Sequence, residues 1–91
     1  MMGESVYKVP GGKLLRVQLS ASDGRIDGVV ITGDFFLHPE EALDALQEHL
    51  KGHVIKEQPL AETIGLFLKD RDAFFIGASP ADVAKAICMA A

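Results

Sequence analysis

The sequence predicts an α+β domain: a small antiparallel sheet of about three strands followed by three helices packed on one face. Two observations carry that expectation. As far as Phe36, apolar residues alternate with polar ones, the period of strands with one buried face, and Asp23-Gly24 interrupts them as a tight hairpin does. From Pro39 onward, apolar residues recur at the three- and four-residue spacing of helices, with prolines at their starts.

Taken in order, Ser5 to Val9 is expected as a short edge strand stopped by Pro10-Gly11-Gly12. Lys13 to Ser20 is the clearest strand, with Leu15, Val17 and Leu19 on one face and Leu14, Arg16 and Gln18 on the other. Ile26 to Phe36 then runs back, placing Val29, Ile31, Gly33, Phe35 and Leu37 together. The first helix begins at Pro39, whose missing N–H is harmless in a first turn, with Glu40 and Glu41 at the favourable end of the dipole. Its stripe is Leu43, Leu46 and Leu50, and Gly52 stops it. His53 to Lys56 is a short link or strand. A second helix opens at Pro59, buries Leu60, Ile64, Phe67 and Leu68, and frays near Lys69-Asp70-Arg71-Asp72. Phe74-Phe75-Ile76 reads as a short buried strand. The last helix has Ser79 as N-cap, Pro80 at the first position and Asp82 at the third, and turns Val83, Ala84, Ile87, Cys88 and Ala91 inward.

A chain of 91 residues fits one domain, here residues 1–91, and buries roughly 64% of its unfolded surface by size scaling. Such a core is small for a protein that must hold a cofactor, a metal and a cleft unaided, which favours dependence on a partner. With 48% hydrophobic residues the chain is too apolar to be disordered, and the excess points to an interface. Nine basic side chains against thirteen acidic ones give a net charge of −4, and the basic ones are scattered, so no nucleic-acid footprint is read. Cys88, the single cysteine, sits in an Ala-rich apolar run and is expected to be a buried, inert thiol of a reducing compartment. No apolar run reaches membrane-span length and the first nine residues lack a signal peptide's pattern, so a cytoplasmic location is expected.

A self-contained active site is not legible. The three histidines, His38, His49 and His53, are not at metal-ligand spacing, since Gly52 is expected to end the helix between the last two. No GxSxG elbow is present, and Glu40-Glu41 matches a helix dipole better than an acid/base pair. No catalytic or metal-binding residue is therefore assigned. Two segments stand apart from scaffold. Gly11-Gly12-Lys13 sets flexible backbone N–H groups before a lysine, which suits either a phosphate or carboxylate, or a plain turn before an edge lysine. In Gly33-Asp34-Phe35-Phe36, an inward Phe35 turns Asp34 and Phe36 to the opposite face, either as a binding surface or under a second buried layer.

Lys8-Val9-Pro10-Gly11-Gly12-Lys13-Leu14-Leu15, followed by Ile31-Thr32-Gly33-Asp34-Phe35-Phe36, Pro39-Glu40-Glu41, the Leu43 to Gly52 helix and Ser79-Pro80-Ala81-Asp82, resembles the small C-terminal accessory domain of lipoate-protein ligases. The resemblance rests on the ordered set and covers nearly the whole chain. It implies a non-catalytic subunit of a two-chain ligase, required with a large catalytic subunit for ATP-dependent activation of lipoate to lipoyl-AMP before protein lipoylation. It also implies that ATP, Mg and lipoate are held by the partner, and that the acceptors are lipoyl domains of 2-oxoacid dehydrogenases and the glycine cleavage H protein. Gly11, Gly12, Lys13, Gly33, Asp34, Phe35, Phe36 and Pro39 match the family pattern, none as a catalytic group. The large domain's catalytic lysine and Gly-rich loops have no counterpart in the sequence. The alternatives are a free-standing interaction module that docks carrier domains, and a stand-alone hydrolase or transferase that no residue pattern supports.

Overall fold

A computed structural model describes residues 1–91 as five strands and three helices. Strands β1 (Met2–Lys8), β2 (Leu14–Ser22) and β3 (Arg25–Gly33) form an antiparallel sheet in that order. The hairpin joining β2 to β3 turns at Asp23 and Gly24, both with positive φ (53° and 73°), as the Asp-Gly pair predicts. Alternation along β2 buries Leu15, Val17, Leu19 and Ala21, while Arg16 and Gln18 stay exposed. The sheet thus has one covered and one open face.

Helices α1 (Glu41–His49), α2 (Glu57–Asp70) and α3 (Pro80–Ala90) follow. All four residues of the expected α2 stripe, Leu60, Ile64, Phe67 and Leu68, are buried. The helix starts at Glu57, so Pro59 lies inside its first turn rather than opening it. In α1, Leu46 and Leu50 are buried, Ala42 joins them and Leu43 is half-buried. Pro39 does not begin this helix: it follows a cis peptide bond from His38, and its carbonyl accepts from the N–H of Ala42 ahead of the first turn.

The start of α3 is as expected. Ser79 Oγ accepts from the Asp82 N–H at 3.2 Å, and Asp82 Oδ2 accepts from the Ser79 N–H at 2.9 Å, a reciprocal capping box. Its inner face differs from the sequence reading by one step: Ala86 and Ala90 are buried, Ala91 is exposed and Cys88 is only half-buried. Small residues there let α3 approach β1 closely, with Ser5 Oγ donating to the Ala86 carbonyl at 2.6 Å. A side chain at Gly3 would run into the Ala90 carbonyl.

The strand expected over Ile26 to Phe36 is broken. β3 stops at Gly33, where φ is +143°, and a second sheet begins: β4 (Phe36–His38) paired antiparallel with β5 (Phe74–Ile76). This ribbon corrects a second expectation, since Phe74-Phe75-Ile76 is a strand but not a buried one. All 23 buried residues of the chain are apolar. No helix is long and apolar enough to cross a membrane.

The two edges of the larger sheet are treated differently. Along β3, Gln47 Oε1 accepts the outward N–H of Ile31 at 2.8 Å, and the segment after α1 pairs with its start, Gly52 donating to Ile26 and Ile26 to His53. Along β1 the odd residues face β2, a parity fixed by the Met1–Ala21 exchange of hydrogen bonds and the register Gly3↔Leu19, Ser5↔Val17, Tyr7↔Leu15. The even residues point away from the sheet.

Candidate functional site

The two segments singled out in the sequence meet at one end of the molecule. The Lys13 N–H donates to the Gly77 carbonyl at 2.9 Å, just beyond β5, and the Asp34 N–H donates to the Leu14 carbonyl at 3.1 Å, just before β4. Gly11, Gly12 and Lys13 are thereby tied to the ribbon that carries Phe36. The contact is close: a side-chain carbon at Gly12 would stand 2.6 Å from the Gly77 carbonyl oxygen.

This packing decides what the Gly-Gly-Lys turn can offer. Gly12 donates to the Val9 carbonyl at 2.9 Å and Lys13 to Gly77, so two of the three backbone N–H groups are already used. The Lys8 ammonium donates to the Val9 carbonyl at 3.2 Å and also to the Gly12 carbonyl. What remains outward is the Lys13 side chain, exposed, with its stem against Gly77. With two of its N–H groups turned inward, the turn presents fewer donors to an anion than the flexible Gly-Gly-Lys sequence suggests.

In the Gly-Asp-Phe-Phe segment the continuous strand is interrupted, but the side chains still take the expected inward and outward order from Asp34 to Phe36. Phe35 is 7% exposed and meets the Phe75 ring edge-on, with centroids 5.7 Å apart. Asp34 and Phe36 face outward, Phe36 at 66% exposure. The ribbon register pairs Phe36 with Ile76 and His38 with Phe74, so these four side chains share its outer face. Phe74 and Ile76 are 51% and 53% exposed, and the His38 ring lies 5.4 Å from that of Phe74. An apolar groove lined by Ile31, Gly33, Phe36, Leu37 and Leu43 runs beside Phe36. Sequence reasoning found Phe36 but missed that Phe74 and Ile76 stand with it.

The other candidates lie elsewhere. His49 and His53 come together despite the intervening chain reversal, their rings 5.3 Å apart, with His49 5.0 Å from the Phe67 ring and the Arg71 guanidinium 4.7 Å above that ring. Cys88 is half-buried; burial, and secondarily the negative charge of Glu57, push its thiol above the ordinary cysteine range. A raised thiol is a poor nucleophile, which fits the structural role expected for it.

No family model matches the sequence. The chain is similar to lipoate-protein ligase A subunit 2 of Thermoplasma acidophilum, with 37% identity over 57 residues, which are 63% of this chain and 60% of that protein. It is also similar to a chain from the solved structure of an archaeal lipoylation system, a bi-partite lipoate protein ligase and its E2 lipoyl domain from the same organism. There the TM-score is 0.80 and the identity 30%, over 96% of this chain and 94% of the other. The fold is thus shared along almost the full length, and the chain belongs to the family of small, separate subunits of two-part lipoate-protein ligases.

Proposed function

We propose that this chain is the non-catalytic subunit of a two-chain lipoate-protein ligase, required together with a large catalytic subunit for ATP-dependent activation of lipoate to lipoyl-AMP. The likeness over 96% of the chain to a component of a bi-partite ligase carries the proposal. The surface supports it. The core takes in no polar side chain, while an aromatic ribbon is left facing solvent.

The large subunit docks on the outer face of the ribbon, with Phe36, Phe74 and Ile76 at the apolar centre and Lys13 at the rim. Its chemistry is the activation of a carboxylate to a mixed anhydride, which water destroys. A small apolar body pressed against the partner's loops favours that step by excluding water and holding the loops closed. ATP, Mg and lipoate are bound by the partner. Transfer then passes the lipoyl group to a lysine of an acceptor, lipoyl domains of 2-oxoacid dehydrogenases and the glycine cleavage H protein being the carriers proposed.

Lipoate-dependent ATP–pyrophosphate exchange tests the assignment. The expected result is no exchange by this chain alone, little by the large subunit alone and restored exchange by the two together. Exchange by the large subunit that is unchanged on adding this chain favours the docking-module alternative.

A further inference from the structure

We propose that the open edge of β1 is an interface with a second copy of this chain, the two β1 strands pairing antiparallel about a two-fold axis at Val6. The backbone N–H and C=O groups of Met2, Glu4, Val6 and Lys8 point away from β2 and find no backbone partner in the chain. A strand edge of this length is a template for another strand, and folds ordinarily cover it. This one covers its other edge, with Gln47 and the residues after α1. It leaves β1 bare.

The side chains select the occupant. On the open face of the sheet β1 presents Glu4, Val6 and Lys8 in alternation, with Val6 53% exposed. Within one copy the Lys8 ammonium rests on the Val9 and Gly12 carbonyls and Glu4 accepts from Gln18 at 3.5 Å, exposed contacts that pairing exchanges for Glu4–Lys8 contacts between copies. In an antiparallel pair centred on Val6, residues whose numbers sum to twelve lie opposite one another. Glu4 of each copy then faces Lys8 of the other, and the two Val6 side chains meet on the axis. Outward groups face outward groups, so each such pair can exchange both hydrogen bonds. Centring on Glu4 or on Lys8 instead sets like charges directly opposite, which opposes pairing, and centring on Ser5 matches no charges. Slips by an odd number bring inward groups to the seam and lose the ladder. The edge is therefore complementary to itself in one register.

The pairing is isologous and closed, and gives one six-stranded sheet with the helices of both copies on the same side. On that side Lys85 lies 5.2 Å from the Tyr7 ring, so the helix flank of the seam is cationic. The strands and the open face hold the pair together. This interface involves none of the ribbon residues and stands apart from the docking of the large subunit.

Sedimentation equilibrium on the full chain without its partner subunit tests the proposal. Wild type is expected to dimerise with a Kd on the order of 10–100 µM, and Glu4→Lys to weaken it by at least about tenfold. Lys8→Glu alone also weakens it, and the double exchange Glu4→Lys with Lys8→Glu restores it. Val6→Pro removes an outward N–H and no internal ladder bond, so it is expected to abolish dimers while far-UV circular dichroism stays native. A chain that stays monomeric up to about 1 mM, well above that Kd, overturns the proposal. Dimers indifferent to all four variants overturn it as well. If the chain is monomeric and Val6→Pro instead abolishes binding to the large subunit, the edge belongs to that subunit and not to a second copy.

Discussion

The Lys13 N–H bonds the Gly77 carbonyl at 2.9 Å, joining the turn before β2 to the residue after β5, across more than half the chain. Through this bond and its companion from Asp34 to Leu14, the ribbon is held as an extension of the sheet end. A two-stranded ribbon of three residues a side is not stable alone, so its outer face is only as well placed as these attachments.

Gly33 is the attachment where substitution is most costly. Its φ of +143° favours glycine, and a side-chain carbon there meets the Leu14 carbonyl, which cannot move without breaking the bond from Asp34. Gly33→Ala is expected to destabilise the fold by about 1–3 kcal/mol. Urea unfolding measures it, with Gly28→Ala as comparison, because a side chain at Gly28 meets open space.

Phe35 and Phe36 are adjacent but serve different purposes. Phe35→Ala is expected to cost about 3 kcal/mol of folding stability, the loss of a buried aromatic. Phe36→Ala removes a ring that is 66% exposed and should leave the unfolding midpoint nearly unchanged. It should weaken binding to the large subunit by roughly 1–3 kcal/mol, about five- to 150-fold in Kd by titration calorimetry. A Phe36 variant that binds normally removes the ribbon from the interface.

How much of this was legible depended on how local the cause is. The capping box of Ser79 and Asp82 and the Asp23-Gly24 hairpin are set by neighbours in sequence, and both stand where the residues place them. The stripe of α2 was equally plain because helical periodicity repeats along it. The ribbon was not, because Phe36–His38 and Phe74–Ile76 are three-residue segments that pair across the chain, and a short apolar triplet carries no period that tells a covered face from an open one. For the same reason the sequence marked Gly11-Gly12-Lys13 and Asp34-Phe35-Phe36 as separate candidates. Their meeting, and the inward use of the Gly12 and Lys13 N–H groups, follow from the position of Gly77.

Cys88 offers a check on α3 against α2. Because burial and then Glu57 raise its thiol above the usual range, the thiolate is scarce near neutral pH and alkylation by iodoacetamide should be slower than for a free cysteine. Glu57→Gln should speed it modestly. The folded state holds the proton more tightly than the unfolded one, so the favourable contribution is present below the unfolded thiol's range and is lost as pH rises through the folded value. Fast alkylation of the native chain contradicts this placement.

The last expectation separates activation from transfer. Forming lipoyl-AMP requires loops closed over ATP and water kept out, whereas transfer begins from an adenylate already made and needs an open path for the acceptor lysine. A subunit that closes the partner's loops therefore acts mainly on the first half-reaction. Lys13 is the exposed cation at the rim of the ribbon, and Asp34 is the exposed carboxylate at its base. Lys13→Ala and Asp34→Ala are each expected to slow adenylation by about 1–2 kcal/mol, roughly tenfold, where the complex desolvates them. Neither should slow transfer from chemically prepared lipoyl-AMP by a comparable factor. Single-turnover kinetics of both half-reactions, for wild type, each variant and the large subunit alone, reads the difference. Phe36→Ala, which acts through docking, should lose its effect on adenylation once the subunits are mixed well above their Kd, while a Lys13 contact in the closed complex stays lost at any concentration. Equal slowing of both half-reactions by Lys13→Ala at saturation means that the chain supports the whole active site rather than its activation step.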